Sequence, residues 1–263
     1  MGPKKIQISG VIIVKNEEKN IGECLKSIKD VVDEIIVVDS YSIDKTIDIV
    51  KKYTDRIFLK EFQDDFSLQR NFALQKSSGN WILTLDADER LSQELKKEIP
   101  KLIISKEYQG YFFSRRNYID SKRWLKHGIF YPDYQLRLFR KGIKYVGMIH
   151  ERPDLDEKFT KKISLDIIHN SSHTKFDKFS SVRRLEQFIR IHSQEILGKK
   201  ENFLIYPLTG LFKFYKLFLD SFILGKGFLD GWVGFRAALI FSTSIGAAYI
   251  FSFLGNIKKQ WKK

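Results

Sequence analysis

The chain has 263 residues, 43% of them hydrophobic and 14% aromatic, which excludes a disordered polymer and allows one sizeable domain plus an appendage. A formal net charge of +14 and a pI of about 9.6 call for an anionic partner, whether a nucleic acid, a phosphorylated substrate or an anionic membrane. Zinc-finger spacing and an aromatic RNA-binding signature are both absent, which argues against nucleic acid. The single Cys24 cannot form an intramolecular disulfide and sits in a helical pattern, as packing. With no secretory signal at the N-terminus, a reducing cytoplasmic setting is expected.

Ile6 to Val14 reads as a first strand, followed by Lys15-Asn16-Glu17-Glu18 and a helical face of Ile21, Leu25 and Ile28. Glu34 to Asp39 is a second buried run that ends in an acid. The turn Ser40 to Thr46, rich in capping residues, leads into a short helix using Ile47 and Val50. Arg56 to Leu59 reads as a third strand and Ser67 to Lys76 as a helix carrying Arg70 and Asn71. Ser78-Gly79 then breaks the chain before Trp81-Ile82-Leu83-Thr84-Leu85-Asp86-Ala87-Asp88-Glu89. Strand and helix alternate about four times in ninety residues, which predicts a parallel α/β sheet with right-handed crossovers. No G-x-G-x-x-G follows the first strand and no G-x-x-x-x-G-K-[ST] occurs, so a dinucleotide Rossmann domain and a P-loop are poorly supported.

Asp39 and Asp86 end separate strands and should lie at one sheet edge, where open α/β sheets bind ligands. If strand geometry persists through Ala87, Asp86 and Asp88 point to the same side, and a hard divalent cation would relieve their repulsion. The plainer reading is a solvated acidic turn before a helix from Ser92 to Ile104, which Pro100 would kink or end early. Tyr111 to Ser114 and Tyr134 to Phe139 read as further strands. The aromatic stretch Trp124 to Pro132 suits an acceptor-binding wall or an ordinary sheet face, and the accompanying Arg115, Arg116 and Arg123 favour the first.

A helix is expected from Lys175 to Leu197. Beyond Phe203 the composition departs from that of a soluble domain: Ala237 to Ile257 carries no charge and is flanked by Arg236, Lys258 and Lys259. That segment is long enough to span a bilayer. Its serines and basic flanks fit in-plane association with an anionic leaflet first, a true span second and a buried oligomer interface third.

Three blocks, Val14 to Glu18, Val38 to Thr46 and Leu85 to Glu89, occur in the order and spacing of glycosyltransferase family 2, which the chain resembles. Tyr131 to Arg140, His150-Glu151 and Gly227 to Gly231 extend the resemblance to the branch of lipopolysaccharide inner-core β-1,4-glucosyltransferases. The resemblance implies a GT-A fold over residues 1–174 and a C-terminal helical, amphipathic membrane-associating region over 175–263. It also implies inverting transfer from a UDP-sugar, glucose among the candidates, to a glycolipid or oligosaccharide acceptor at the cytoplasmic face of the bacterial inner membrane. Asp39 would bind the nucleotide base with Glu17 in the same pocket and Asp44 or Arg70 in support. Asp86 would face the ribose or the metal shell, and Asp88 would hold Mn²⁺ or Mg²⁺ on the diphosphate, with His150 a possible further ligand. Asp133 is the expected base and Glu151 the alternative. Arg137 and Arg140 suit either phosphate binding or a surface strand.

Two departures stand out. Pro132-Asp133 replaces the usual Glu-Asp, and Asp39-Ser40-Tyr41-Ser42 replaces Asp-Asp-Gly-Ser. The rival readings are a same-fold enzyme acting on a lipid-phosphate or protein acceptor, a nucleotidyltransferase (which lacks its Gly-rich loop here) and a non-catalytic membrane-binding module.

Overall fold

The computed structural model describes residues 7–120, 122–147, 151–169, 182–197 and 202–260. Two compact units divide the chain: residues 1–118 with 133–172, and residues 119–132 with 173–263.

The first unit is a mostly parallel sheet flanked by helices. Strands β1 (Ile8–Val14), β2 (Glu34–Asp39), β3 (Ile57–Leu59) and β4 (Trp81–Asp86) run parallel in the order β3-β2-β1-β4. Helices α1 (Ile21–Ile28), α2 (Thr46–Val50) and α3 (Phe66–Gln75) connect them, as the alternation of strand and helix requires. The sheet continues through β7 (Asp133–Arg140), antiparallel to β4, then β6 (Gly110–Asn117), β10 (Thr160–His169) and the short β5 (Glu89–Leu91). Strands β8 (Tyr145–Val146) and β9 (Arg152–Pro153) form a separate ribbon.

Both sheet faces are covered, so the inner strands are apolar on both sides. Ile12, Val37, Leu83 and Leu85 pack with Leu25 and Ile28 of α1 on one face. Val11, Ile36, Val38 and Ile82 pack with Ala73 of α3 and Phe139 on the other. Helix α4 (Gln93–Leu102) starts at Ser92, whose Oγ accepts from Leu95 N at 3.2 Å, and buries Leu95 and Ile99 one turn apart. It runs two residues past Pro100, so the proline sits in its last turn, where the chain is about to leave the helix.

In the second unit, α5 (Val182–Leu197), α6 (Tyr206–Phe218) and α7 (Gly231–Gln260) are the long helices. Residues 175–181 of the expected helix lie outside the described residues. Helix α6 passes into a π-helical turn at Leu219–Leu224. Gly210 and Gly246 let α6 and α7 touch: a Cβ on Gly210 would lie 2.7 Å from the Gly246 carbonyl oxygen. The Ser242 and Ser252 hydroxyls of α7 are buried and donate to carbonyls one turn back, at 2.6 and 2.8 Å. Asp230, just before α7, accepts from the backbone N–H of Lys126 and His127 at 3.0 and 2.9 Å and lies 3.0 Å from His127 Nδ1. The Gly227–Gly231 block thus fastens the aromatic loop, in which Trp124 and Tyr131 meet edge to face, to this unit.

Candidate active site

Parallel pairing of β1 with β2 and β4 sets Val14 beside Asp39 and Ile13 beside Asp86, so both acids reach the C-terminal edge of the sheet. A cleft of about 300 Å³ opens there, lined by Val14, Lys15, Glu17, Ser40, Arg70 and Asp88 among others.

The loops after β1 and β2 are tied together. Asn16, at φ +54°, donates its N–H to Ser42 Oγ and accepts from Ile43 N. Glu17 N–H donates to Thr46 Oγ1 at 2.7 Å, and its carboxylate accepts from Asn20 Nδ2 at 2.8 Å. Asp44 accepts from the Thr46 hydroxyl and from the N–H groups of Thr46 and Glu18. Burial works to raise its carboxyl, but those hydrogen bonds prevail and hold it below its ordinary value. The buried Asp39 accepts from Ser42 N at 2.8 Å and from Ser42 Oγ, closing the turn in which Tyr41 stands at φ +59°. Asp39, Asp44 and Glu17 therefore shape the loops that wall the cleft.

Helix α3 turns a polar face inward. Gln69 donates to Ser40 Oγ and the Lys60 carbonyl, both at 2.9 Å, and Arg70 reaches the end of β4. Strand β4 stops at Asp86, and Ala87-Asp88 form a turn, so the two acids find different partners. Asp86 is held by two guanidiniums, Arg70 Nη2 on one oxygen and Arg137 Nη2 on the other, each at 2.6 Å. Burial opposes its ionisation, yet Arg137 and then Arg70 keep it well below the usual carboxylate range. Its oxygens are committed to arginines.

Asp88 Oδ2 instead faces His169 Nε2 at 3.1 Å. The other ring nitrogen, Nδ1, lies 2.9 Å from Asn117 Oδ1, whose own Nδ2 donates to Asp133 at 3.0 Å. With the amide so oriented, Nδ1 carries a hydrogen, and Nε2 of the neutral ring turns a lone pair toward a carboxylate oxygen. Two acceptors in contact require a second proton on the ring or a cation between them. An imidazole braced through Nδ1–H and set against a carboxylate can serve as an ion pair or as part of a divalent cation's donor set. Among the described residues no group of three or more His, Cys, Asp or Glu converges on a metal position, so this pair would hold a cation only together with ligand oxygens. His150 lies outside the described residues.

Behind these groups is a buried charge network. Glu89, fully buried, accepts from Arg115 Nη1 at 3.1 Å, Arg137 Nη2 at 2.6 Å and Asp86 N at 3.1 Å. Asp133 accepts from Arg115 Nε and Nη2 at 2.9 and 2.7 Å and from Gln135 Nε2 at 2.7 Å. Glu151 accepts from Arg70 Nε at 2.9 Å, and the Arg70 guanidinium lies 5.2 Å from the Tyr145 ring centre. Four carboxylates, Asp86, Glu89, Asp133 and Glu151, thus face three arginines. Arg137 is a buried ion-pair residue, whereas Arg140 lies over the Trp81 ring at 4.2 Å and donates to the Ser105 carbonyl.

Glu89, Asn117 and His169 escape a reading of the sequence alone. His169 carries a legible signal: Ile163 to Ile168 is a β-branched, alternating run that ends in a polar side chain, as at Asp39 and Asp86. Glu89 follows the acidic turn and gives no sign that it is buried.

This mostly parallel sheet flanked by helices is a GT-A-type fold. The sequence pattern of Glycosyl transferase family 2 matches residues 9–183, and the chain belongs to that family. It is 34% identical over 180 residues to the glycosyltransferase SunS of Bacillus subtilis, a match covering 66% of this chain and 42% of SunS. The chain thus spans less than half the length of that relative. It is 34% identical over 143 residues to the lipopolysaccharide core biosynthesis glycosyltransferase LpsC of Rhizobium meliloti, covering 52% of each chain. A glycosyltransferase of Rickettsia typhi is 28% identical over 247 residues, covering 90% of this chain and 83% of that one. The fold is also that of glucosyl-3-phosphoglycerate synthase from Mycobacterium tuberculosis, at TM-score 0.50 and 16% identity over 68% of this chain and 78% of that one.

Proposed function

We propose that the chain is a metal-dependent, inverting glycosyltransferase that moves a sugar, glucose foremost, from a UDP-sugar to a membrane-displayed acceptor such as the lipopolysaccharide core oligosaccharide. The observation that carries this reading is the pair formed by Asp88, which lines the cleft, and the buried His169 behind it, two acceptors 3.1 Å apart that a cation would reconcile. Mn²⁺ or Mg²⁺ there would neutralise charge on a diphosphate leaving group. Asp88 and His169 would hold that cation, with Asn117 fixing the imidazole. Asp39 and Glu17 would meet the nucleoside from the tied loops, with Asp44 and Arg70 supporting the walls. Arg70 and Arg137 would keep Asp86 ionised as a rigid floor.

The attacking hydroxyl needs a base. Asp133 is joined to His169 through Asn117, which fits a base beside the reacting centre, although Arg115 engages one of its oxygens with two bonds. Glu151, whose one contact among the described residues is Arg70, is the alternative. Acid-limb pH profiles of Asp133→Asn and Glu151→Gln separate the two. The acceptor class draws support from the LpsC relative, whose printed role is lipopolysaccharide core biosynthesis.

Membrane association draws support from the second unit. Leu204, Leu208, Leu211, Phe212, Tyr215 and Leu219 recur at helical spacing and are all at least half exposed. The 31-residue apolar stretch Gly227–Ile257 is long enough to cross a membrane, but 44% of its most apolar window is buried against the protein. That favours an amphipathic pair of helices seated in one leaflet, held by Lys213, Lys216 and Arg236 on anionic headgroups.

The test is a donor panel: UDP-, GDP- and TDP-sugars with Mn²⁺, following nucleotide release, beside an Asp88→Ala control. Turnover of a UDP-sugar that is lost in the variant supports the reading. Absence of any UDP binding by calorimetry removes it.

A further inference from the structure

A second groove, of about 520 Å³, lies in the same unit and is not accounted for by the donor. Strands β6 and β7 supply Phe112, Tyr134 and Arg137 to its lining, Tyr145 comes from β8, and Glu151 and Asp154 come from the segment around β9. Two ion pairs connect it with the donor cleft: Arg70 and Asp86 line the cleft, Glu151 and Arg137 line the groove, and the bonds Arg70–Glu151 and Arg137–Asp86 run between them.

Three properties define what the groove would take. Its aromatic side chains suit the C–H faces of a ring. With the paired groups set aside (Glu151 with Arg70, Asp156 with Lys158, Arg137 with Asp86 and Glu89), its acids Asp154 and Glu157 outnumber Arg152, so the lining disfavours a phosphate. And the buried Arg137 Nε has no acceptor among the described residues, a donor left unsatisfied beside the groove. A hydroxyl is both donor and acceptor: it can receive from a guanidinium and give to a carboxylate.

We infer that this groove is the subsite for an uncharged saccharide unit of the acceptor, with Glu151 and Arg137 as the wall it shares with the donor site. The inference rests on the transferase reading and names its acceptor chemistry. A neutral sugar seated there offers hydroxyls to Glu151, Asp154 and Arg137 and stacks on Tyr134 or Phe112.

The experiment is saturation-transfer NMR on the full chain with UDP and Mg²⁺. The probes are methyl β-glucoside, methyl β-galactoside and methyl α-mannoside, with glucose 1-phosphate as the charged counterpart. UDP binding is measured separately by calorimetry. The expected result is transfer to at least one neutral glycoside, at least fivefold weaker in both Tyr134→Ala and Asp154→Asn, with none to the phosphate. Asp154 is exposed, so its variant keeps the test open if Tyr134→Ala fails to fold. Intact UDP binding with no glycoside signal, a signal unchanged in both variants, or preference for the phosphate overturns the inference and leaves the donor reading standing. Loss of UDP binding itself overturns the donor reading, and the acceptor assignment with it.

Discussion

At the strand ends of the first unit, charges are buried; on the helices of the second, large apolar side chains are exposed. Arg70, Arg137 and Glu89 are nearly or fully inaccessible, while Leu208 is 73% and Trp232 69% exposed. Each region inverts the ordinary partition of polar and apolar residues. In the first unit the inversion is compensated internally, because Asp86 and Glu89 meet arginines and the buried Asp39 is closed in by Ser42. In the second, nothing among the described residues covers the exposed apolar side chains. A buried network of this kind makes a rigid polar edge, and a face uncovered among the described residues can meet a leaflet, as proposed above, or a protein partner.

Breaking the network should have the largest effect. Arg137→Met leaves Asp86 and Glu89 short of a partner, and removing one member of a buried ion pair costs about 3–5 kcal/mol. Urea unfolding should register that loss. A variant as stable as the parent would mean that the acids are solvated after all.

The helical face is tested next. Leu208→Ser, Phe212→Ser and Leu219→Ser together remove about 1 kcal/mol of partitioning each, so vesicle affinity should fall roughly 100-fold with little change in unfolding. Sedimentation with phosphatidylglycerol vesicles reads this, and undiminished binding would assign the face to a protein partner.

His169→Ala should follow in size. Metal affinity in the presence of UDP should drop about 10–100-fold, with Asn117→Ala weaker in the same direction because it only braces the ring. Titration of Mn²⁺ by electron paramagnetic resonance separates these from a general loss of fold. Affinity unchanged in His169→Ala would return Asp88–His169 to a plain ion pair.

Much of this was legible from residue patterns. Buried runs ending in Asp39 and Asp86 located the edge, and alternation of strand and helix predicted the parallel half of the sheet. The far half was less legible: β10 mixes Lys161, Lys162 and Asp166 among its apolar residues, and β5 is three residues long. The partners of Asp86 and Asp88 were not legible at all. Adjacent spacing suggested a shared cation, but β4 ends between them, and the arginines that capture Asp86 come from α3 and β7, 16 and 51 residues away. Sequence distance conceals which opposite charge folds into reach. On the helices, composition announced an apolar segment, but only the packing of α7 on its neighbours distinguishes a half-covered helix from an isolated span.

A smaller effect is expected with acid. Asp86 has a depressed native carboxyl, so its contribution is complete above the unfolded value of about 3.9 and is lost as pH falls from there toward the native value. Stability should therefore decline below about pH 4 more steeply in the parent than in Asp86→Asn, which starts lower at neutral pH because two arginines lose their anion. Parallel acid limbs in the two proteins would mean that Asp86 is not the group the arginines hold.

The smallest effect concerns Tyr41. Its φ of +59° places a bulky residue where a side chain is disfavoured by about 1–2 kcal/mol, and its ring, 57% exposed, gains little packing in return. Tyr41→Gly relieves that strain but adds freedom to the unfolded chain, about 0.5–1 kcal/mol in the other direction. A net stabilisation below about 1 kcal/mol is expected in urea unfolding. Because Ser42, not Tyr41, bonds Asp39, the turn should keep its shape and UDP affinity should change less than about twofold, an RT-scale difference. A large loss of UDP affinity with unchanged stability would give the ring itself a place against the nucleotide, and its exposure would then mark a contact surface rather than a tolerated strain.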